Sequence, residues 1–151
     1  QMAVSLQFER SWANQVAIAQ GFVNDLIQYA KDQGLTADPA VRQKLADLAV
    51  RAEVARMLSY RVVWLQSMGE NPSYESSLDK LFASSLLQYI HATGMELQGL
   101  YGQLNRGERG APMGGEVQHN FRGAIGLSIA AGTSEIQRNI IALRGLGLPR
   151  D

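Results

Sequence analysis

Apolar residues recur at three- and four-residue spacing along nearly the whole chain. No stretch alternates every second residue as a half-buried strand would. The pattern predicts an all-α, up-and-down helical bundle of three long helices, a short helix and a C-terminal helix. The first helix spans 2–33, with Val4, Phe8, Trp12, Val16, Ala19, Val23, Leu26 and Ala30 on one stripe. Gly34 follows it, the residue type favoured where a helix ends in a left-handed turn. Asp38-Pro39 opens the second helix as an N-cap followed by a proline at the first helical position. That helix runs to residue 68, with Val41, Leu45, Leu48, Ala52, Ala55, Leu58, Val62 and Leu65 on one side. Residues 69–72 read as a turn in which Asn71-Pro72 repeats the cap-then-proline device. The third helix runs from there to residue 100 through Leu78, Leu81, Ser85, Leu86, Tyr89, Ala92 and Leu97. Short turns between long helices imply antiparallel neighbours. Residues 99–116 hold six glycines and Pro112 and read as a long loop. A short helix over 117–129 and a terminal helix from Gly132 complete the bundle, the last stopped by Gly145, Gly147 and Pro149.

Composition narrows the class. The 151 residues suffice for one domain with a real core, so residues 1–151 are read as one unit. Fourteen basic and fourteen acidic side chains cancel, leaving no overall field to attract nucleic acid or an anionic membrane. There are no cysteines, which removes disulfides, thiol nucleophiles and thiolate metal sites. His91 and His119 are not in a metal-ligand pattern. The longest apolar run, 124–131, is far short of the roughly 18 residues that cross a membrane. With no leader pattern at the start, a cytoplasmic protein is expected. The chain begins abruptly at Gln1 inside a helical pattern, which leads us to expect a piece of a longer protein.

A helical bundle by itself is compatible with an oligomerisation or adaptor domain as much as with an enzyme, so function must come from particular residues. Glu9 stands between Phe8 and Arg10. It reads either as a solvated helix glutamate or as a carboxylate in apolar surroundings with the raised proton affinity of a base. Arg10 is either a surface charge or a positioning group for an anion. Trp12 and Trp64 read as packing, His91 as a satisfied or half-exposed helix residue, and His119 as exposed. The start of the terminal helix, Gly132-Thr133-Ser134, is the stronger signal. Its first N–H groups lack partners within the helix, and two hydroxyls beside a residue without a Cβ let an oxygen-rich group come close. Glu135 in the same turn would repel a phosphate, so the expected contact is with a polar ligand rather than a tightly held phosphate.

The run Gly132-Thr133-Ser134-Glu135-Ile136-Gln137-Arg138, continuing to Pro149, closely resembles the C-terminal signature of the acyl-CoA dehydrogenases. The resemblance extends over nearly the whole chain and includes the region around Leu6–Arg10. It implies the C-terminal helical domain of a flavoenzyme whose N-terminal helical and middle β-domains are absent here. The implied reaction is α,β-desaturation of an acyl-CoA thioester with FAD as cofactor and an electron-transfer flavoprotein as acceptor. Many members carry the catalytic glutamate directly before the Gly-Thr pair, where this chain has Ala131. A minority carry it on the first helix before an arginine, which matches Glu9-Arg10. The resemblance therefore implies Glu9 as catalytic base, Arg10 and Gly132 at the substrate, and Thr133, Ser134 and Glu135 at FAD. Family members are commonly dimers or tetramers. An Arg-x-x-Phe-Gly-like flavin contact is replaced by Lys31-Asp32-Gln33-Gly34-Leu35, and a Gln-x-x-Gly-Gly segment corresponds weakly to Glu96-Leu97-Gln98-Gly99-Leu100. These departures fit a heteromeric assembly in which only some interfaces hold flavin, and they keep open a non-catalytic partner subunit. The helical domain alone is expected not to turn over substrate.

Overall fold

The computed structural model describes residues 12–150. Three long helices dominate: α1 (Ala13–Asp32), α2 (Pro39–Ser67) and α3 (Tyr74–Gln98). The shorter α4 (Glu116–Leu127) and α5 (Ser134–Ile140) follow, and α5 widens into a π-helical turn at Ile141–Gly145. No strand occurs among the described residues, as the periodicity predicts. The expected start of the first helix, with Val4 and Phe8, lies outside the described residues.

Local chemistry sets two of the junctions as expected. Gly34 adopts φ +68° and its N–H donates to the Lys31 carbonyl at 3.0 Å, closing α1. The Asp38 carboxylate accepts from the Ala40 N–H at 2.8 Å and Pro39 takes the first position of α2. The Asn71-Pro72 pair does not act this way. Helix α3 starts at Tyr74, with Ser73 in the capping position and no side-chain cap bond, and Pro72 is buried. Residues 99–116 also differ from a plain loop. They contain 3-10 turns at Gly99–Gln103 and Pro112–Gly115, tied down by Glu108 accepting from Asn105 and by an Arg106–Glu116 ion pair.

The stripe on α1 is buried at Val16, Ala19, Val23, Leu26 and Ala30. On α2, Leu45, Leu48, Ala52, Ala55 and Val62 are buried, while Val41, Leu58 and Leu65 are half-covered. Fully enclosed side chains such as Leu26, Leu48, Val62 and Ile90 each contribute about 1.5–3 kcal/mol through removal from water. The expected stripe on α3 needs correction. Of its members only Leu86 is buried, and Ser85 and Tyr89 are exposed. Helix α3 is central, packing against α1, α2, α4 and α5, so it is covered on several faces. Its buried set includes Ser77, Asp79, Lys80, Ser84, His91 and Thr93 beside Ala83, Leu87 and Ile90. Apolar periodicity cannot locate polar residues that are buried because other elements supply their partners. The opposite situation holds on α2, where Val50, Val54, Met57 and Trp64, and the C-cap residue Met68, are all exposed.

Candidate functional site

The first half of α3 reaches Trp12 at the head of α1 and the turn that precedes α5. The chain leaves α4 at Leu127 and turns back through Ala131 (φ +54°) and Gly132 (φ +91°) into α5. Two side chains hold the carbonyls of this turn. Lys80 donates from Nζ to the Gly132 carbonyl at 2.8 Å and to that of Ser128 at 3.4 Å. Gln137 donates from Nε2 to the carbonyls of Ala131 at 3.0 Å and Gly132 at 3.4 Å. Lys80 is 3% exposed, and desolvation lowers its pKa while the negative charge of Glu135 opposes that shift.

One residue earlier on α3, Asp79 is fully buried. Its carboxylate accepts from the Ser59 hydroxyl of α2 at 2.6 Å and from the backbone N–H of Trp12 at 3.2 Å. Burial pushes its pKa up, and the two donors partly offset this. Trp12 and the turn meet across an open cleft of about 460 Å³, also lined by Ser77, Lys80, Gln137 and Arg144. Arg144 donates to the Ser73 hydroxyl at 3.3 Å and thus links the π-helical turn to the start of α3.

Among the sequence-derived site residues, Gly132, Thr133 and Ser134 form one compact turn, with Gly132 and the neighbouring Ala131 lining the cleft. Glu9 and Arg10 lie outside the described residues. Trp12, read from sequence as packing, both packs against the core and lines the cleft.

The amides at the start of α5 differ from the expectation of open donors. The Ser134 N–H donates to the Ser128 carbonyl at 3.0 Å, and the Ile136 N–H donates to the Thr133 hydroxyl at 3.4 Å. Glu135 is held below its ordinary pKa by its own backbone N–H, then by the Thr133 side chain. The helix start thus satisfies itself, a common solution for helix termini. What remains for a cofactor are the half-exposed hydroxyls of Thr133 and Ser134 and the exposed Glu135 carboxylate. This donor and acceptor set fits the hydrogen-bonding edge of a flavin and does not fit its pyrophosphate, which Glu135 would repel.

His119 is exposed as expected. His91 is buried rather than half-exposed, and its Nδ1 has no hydrogen-bond partner. Its ring meets Phe22 edge-on at 4.7 Å, and burial lowers its pKa to about 4. Lys31 is exposed, and Glu96 forms an ion pair with Lys44. No group of three or more metal-ligating side chains occurs among the described residues. Sequence reading passed over Asp79, Lys80 and the role of Gln137, because their partners are 67, 52 and 6 positions away and no local pattern announces them. No helix of the described residues is long and apolar enough to cross a membrane.

Comparison with known proteins adds to this geometry. Residues 2–146 match the model of the acyl-CoA dehydrogenase C-terminal domain. The chain is 31% identical over 135 residues to the acyl-CoA dehydrogenase FadE26 of Mycobacterium tuberculosis, covering 85% of this chain and 34% of that protein. The fold matches the Tcur3481-Tcur3483 steroid ACAD with a TM-score of 0.91 at 24% identity, over 97% of this chain and 38% of that one. It also matches the ChsE4-ChsE5 complex from Mycobacterium tuberculosis with a TM-score of 0.80 at 29% identity, over 90% of this chain and 37% of that one. The chain thus spans about a third of the length of the curated relatives it matches.

Proposed function

The chain belongs to the acyl-CoA dehydrogenase family, within its C-terminal helical domain, and on that premise we propose that it serves a flavin-dependent α,β-desaturation of an acyl-CoA thioester. FAD, when bound, supplies the acceptor for the hydride that leaves the β-carbon. The residues of this chain supply the proton chemistry and the positioning. Glu9 takes the α-proton onto its carboxylate, and Arg10 orients that carboxylate and the substrate. Gly132 lies at the thioester, while Thr133, Ser134 and Glu135 face the flavin edge. The α-proton and β-hydride together account for the two hydrogens lost when the double bond forms. Electrons then pass on to an electron-transfer flavoprotein.

The observation that carries this reading is the cleft shared by Trp12 and Gly132. Three peptide units separate Glu9 from Trp12, and a chain of that length spans at most about 11 Å. Connectivity alone therefore bounds how far Glu9 can be from Trp12, one of the residues that line the cleft. Ala131, at the position where many members carry the base, lines the same cleft and has no acid–base group. Full activity needs residues beyond this chain, so the helical domain alone is expected to be inactive.

The test is Glu9→Gln in the full-length, flavin-loaded enzyme. Anaerobic exchange of the substrate α-proton with D₂O should fall by about 10³-fold or more, since the base is lost while binding remains. Flavin absorbance should stay at parent occupancy. Exchange at the parent rate would reject Glu9 as the base.

A second reading is a subunit whose task is assembly with an active partner. The match to a two-component complex supports it, as does the replacement of the flavin-contacting phenylalanine region by Lys31-Asp32-Gln33-Gly34-Leu35. Purifying the full-length protein alone and with its candidate partner separates the two readings. Full flavin occupancy in a homo-oligomer removes this second one.

A further inference from the structure

We propose that Lys80 is a positioning residue whose buried ammonium fixes the turn at Gly132 to α3 and so sets the Thr133–Glu135 segment for flavin. The inference rests on the reading of Thr133, Ser134 and Glu135 as flavin contacts. It adds a residue that acts on them only through the turn.

The backbone of the turn is the first observation. Ala131 carries a Cβ and yet adopts φ +54°, a conformation that persists where the surroundings over-determine it. Gln137 and Lys80 both constrain the turn, and they differ in kind. Gln137 belongs to α5 itself, six positions beyond Ala131, so it fixes the shape of the turn without fixing its place. Lys80 stands 52 positions before Gly132, on the central helix, and its bond to the Gly132 carbonyl refers the turn to the core. The Gly132 carbonyl and the Thr133 N–H share one planar peptide unit. Holding that oxygen sets the plane from which the Thr133 side chain departs.

The second observation is the helix end that Lys80 also meets. Ser128 is the C-cap of α4, and its carbonyl, the other acceptor of the Lys80 ammonium, lies at the negative end of that helix, where a cation is favoured. Further along α3, Gln88 donates from Nε2 to the Ala124 carbonyl at 3.1 Å, in the same last turn of α4. One helix thus grips both the end of α4 and the head of α5. The third observation is burial. A buried ammonium costs desolvation that an apolar side chain of similar length would avoid. It supplies a charge-assisted bond with a defined direction, which packing alone does not. Its charge also reaches the site: Glu135 is held ionised mainly by its own backbone N–H, and Lys80 adds a smaller push in the same direction.

The experiment uses the full-length protein, with its partner where assembly requires one, freed of flavin and titrated with FAD. The variants are Lys80→Met, Lys80→Gln, Lys80→Arg and the double variant Ser134→Ala/Glu135→Ala. The Ser128 and Gly132 carbonyls keep donors from Ser134 and Gln137, so the uncharged variants retain the fold; should Lys80→Met not fold, Lys80→Gln reads the same quantities. Lys80 lines the open cleft, which leaves room for the guanidinium of Lys80→Arg. In Lys80→Met, native-state exchange at the Ser134 and Gln137 amides should lose about tenfold or more in protection, while the Leu87 and Ile90 amides of α3 stay at the parent level. A turn that keeps its shape for about a tenth of the time weakens FAD binding about tenfold. Lys80→Arg should recover both quantities. A general loss of structure would instead lower protection at Leu87 and Ile90 as well, with FAD affinity per folded molecule intact, and that outcome overturns the inference. Parent FAD affinity in Lys80→Met, or no recovery in Lys80→Arg, overturns it too. If Ser134→Ala/Glu135→Ala weakens FAD binding while Lys80→Met does not, the positioning role alone falls. If the double variant binds FAD as the parent does, the flavin reading of the segment falls and takes the positioning role with it.

Discussion

Substituting Gly132 by alanine tests the architecture of the turn directly. Gly132 sits at φ +91°, where an added Cβ costs about 1–2 kcal/mol on backbone grounds alone. The same Cβ would lie 2.7 Å from Nε2 of Gln137, closer than real Cβ contacts come. The obstacle is the far end of a flexible side chain, so the clash is relieved by moving the amide rather than the backbone. Moving it forfeits the bond from Gln137 to the Ala131 carbonyl at 3.0 Å, which contributes about 1 kcal/mol. The expected total is about 2–3 kcal/mol. Native-state hydrogen exchange at the Ser134 and Gln137 amides reads it locally, as a loss of protection of roughly 30- to 150-fold. In a Gln137→Ala background the same substitution should cost only the backbone part, so the double-mutant cycle should show coupling of about 1 kcal/mol. Equal costs in both backgrounds, or a cost below about 0.5 kcal/mol, would refute the reasoning.

Two further outcomes follow from the core. Burial lowers the pKa of His91 to about 4, so between pH 6.5 and 4 the unfolded chain takes up a proton that the fold does not. Stability present above pH 6.5 is therefore lost as the pH falls through that window, by about 3 kcal/mol, and His91→Phe should flatten this slope in urea titrations run at each pH. Gly94→Ala places a Cβ 2.8 Å from Cγ1 of Val117 and 3.1 Å from Cδ2 of Leu26, both fully buried residues. Overpacking of about 1–3 kcal/mol should outweigh the roughly 1 kcal/mol gained in helix propensity, giving a lower unfolding midpoint that Val117→Ala partly restores.

What the sequence made legible was whatever short-range chemistry decides. The closure of α1 at Gly34 and the opening of α2 at Asp38-Pro39 depend on residues within one turn, and both are found as read. The stripes of α1 and α2 were readable because each helix faces the core on one side only. Helix α3 was misread because it is enclosed by four other helices, and its buried Asp79, Lys80 and Ser84 look in sequence like ordinary solvent-facing residues. The Asn71-Pro72 signal failed because Pro72 is buried and the helix begins only at Tyr74. The turn at Gly132 was correctly located. Its supports were invisible because Lys80 and Asp79 meet partners 52 and 67 positions away. The amides at the head of α5 are occupied by Ser128, Thr133 and Glu135 themselves, and no spacing rule distinguishes an occupied helix start from an open one.

The row of Val50, Val54, Met57, Trp64 and Met68 along α2 has a practical consequence. Spaced at four, three, seven and four residues, these side chains recur along one edge of a 29-residue helix and its C-cap and face water in the single chain. A preparation of the helical domain by itself would carry that greasy edge bare. It should self-associate as its concentration rises, bind hydrophobic dyes while still folded, and gain solubility from a lysine placed at Val54 or Met57.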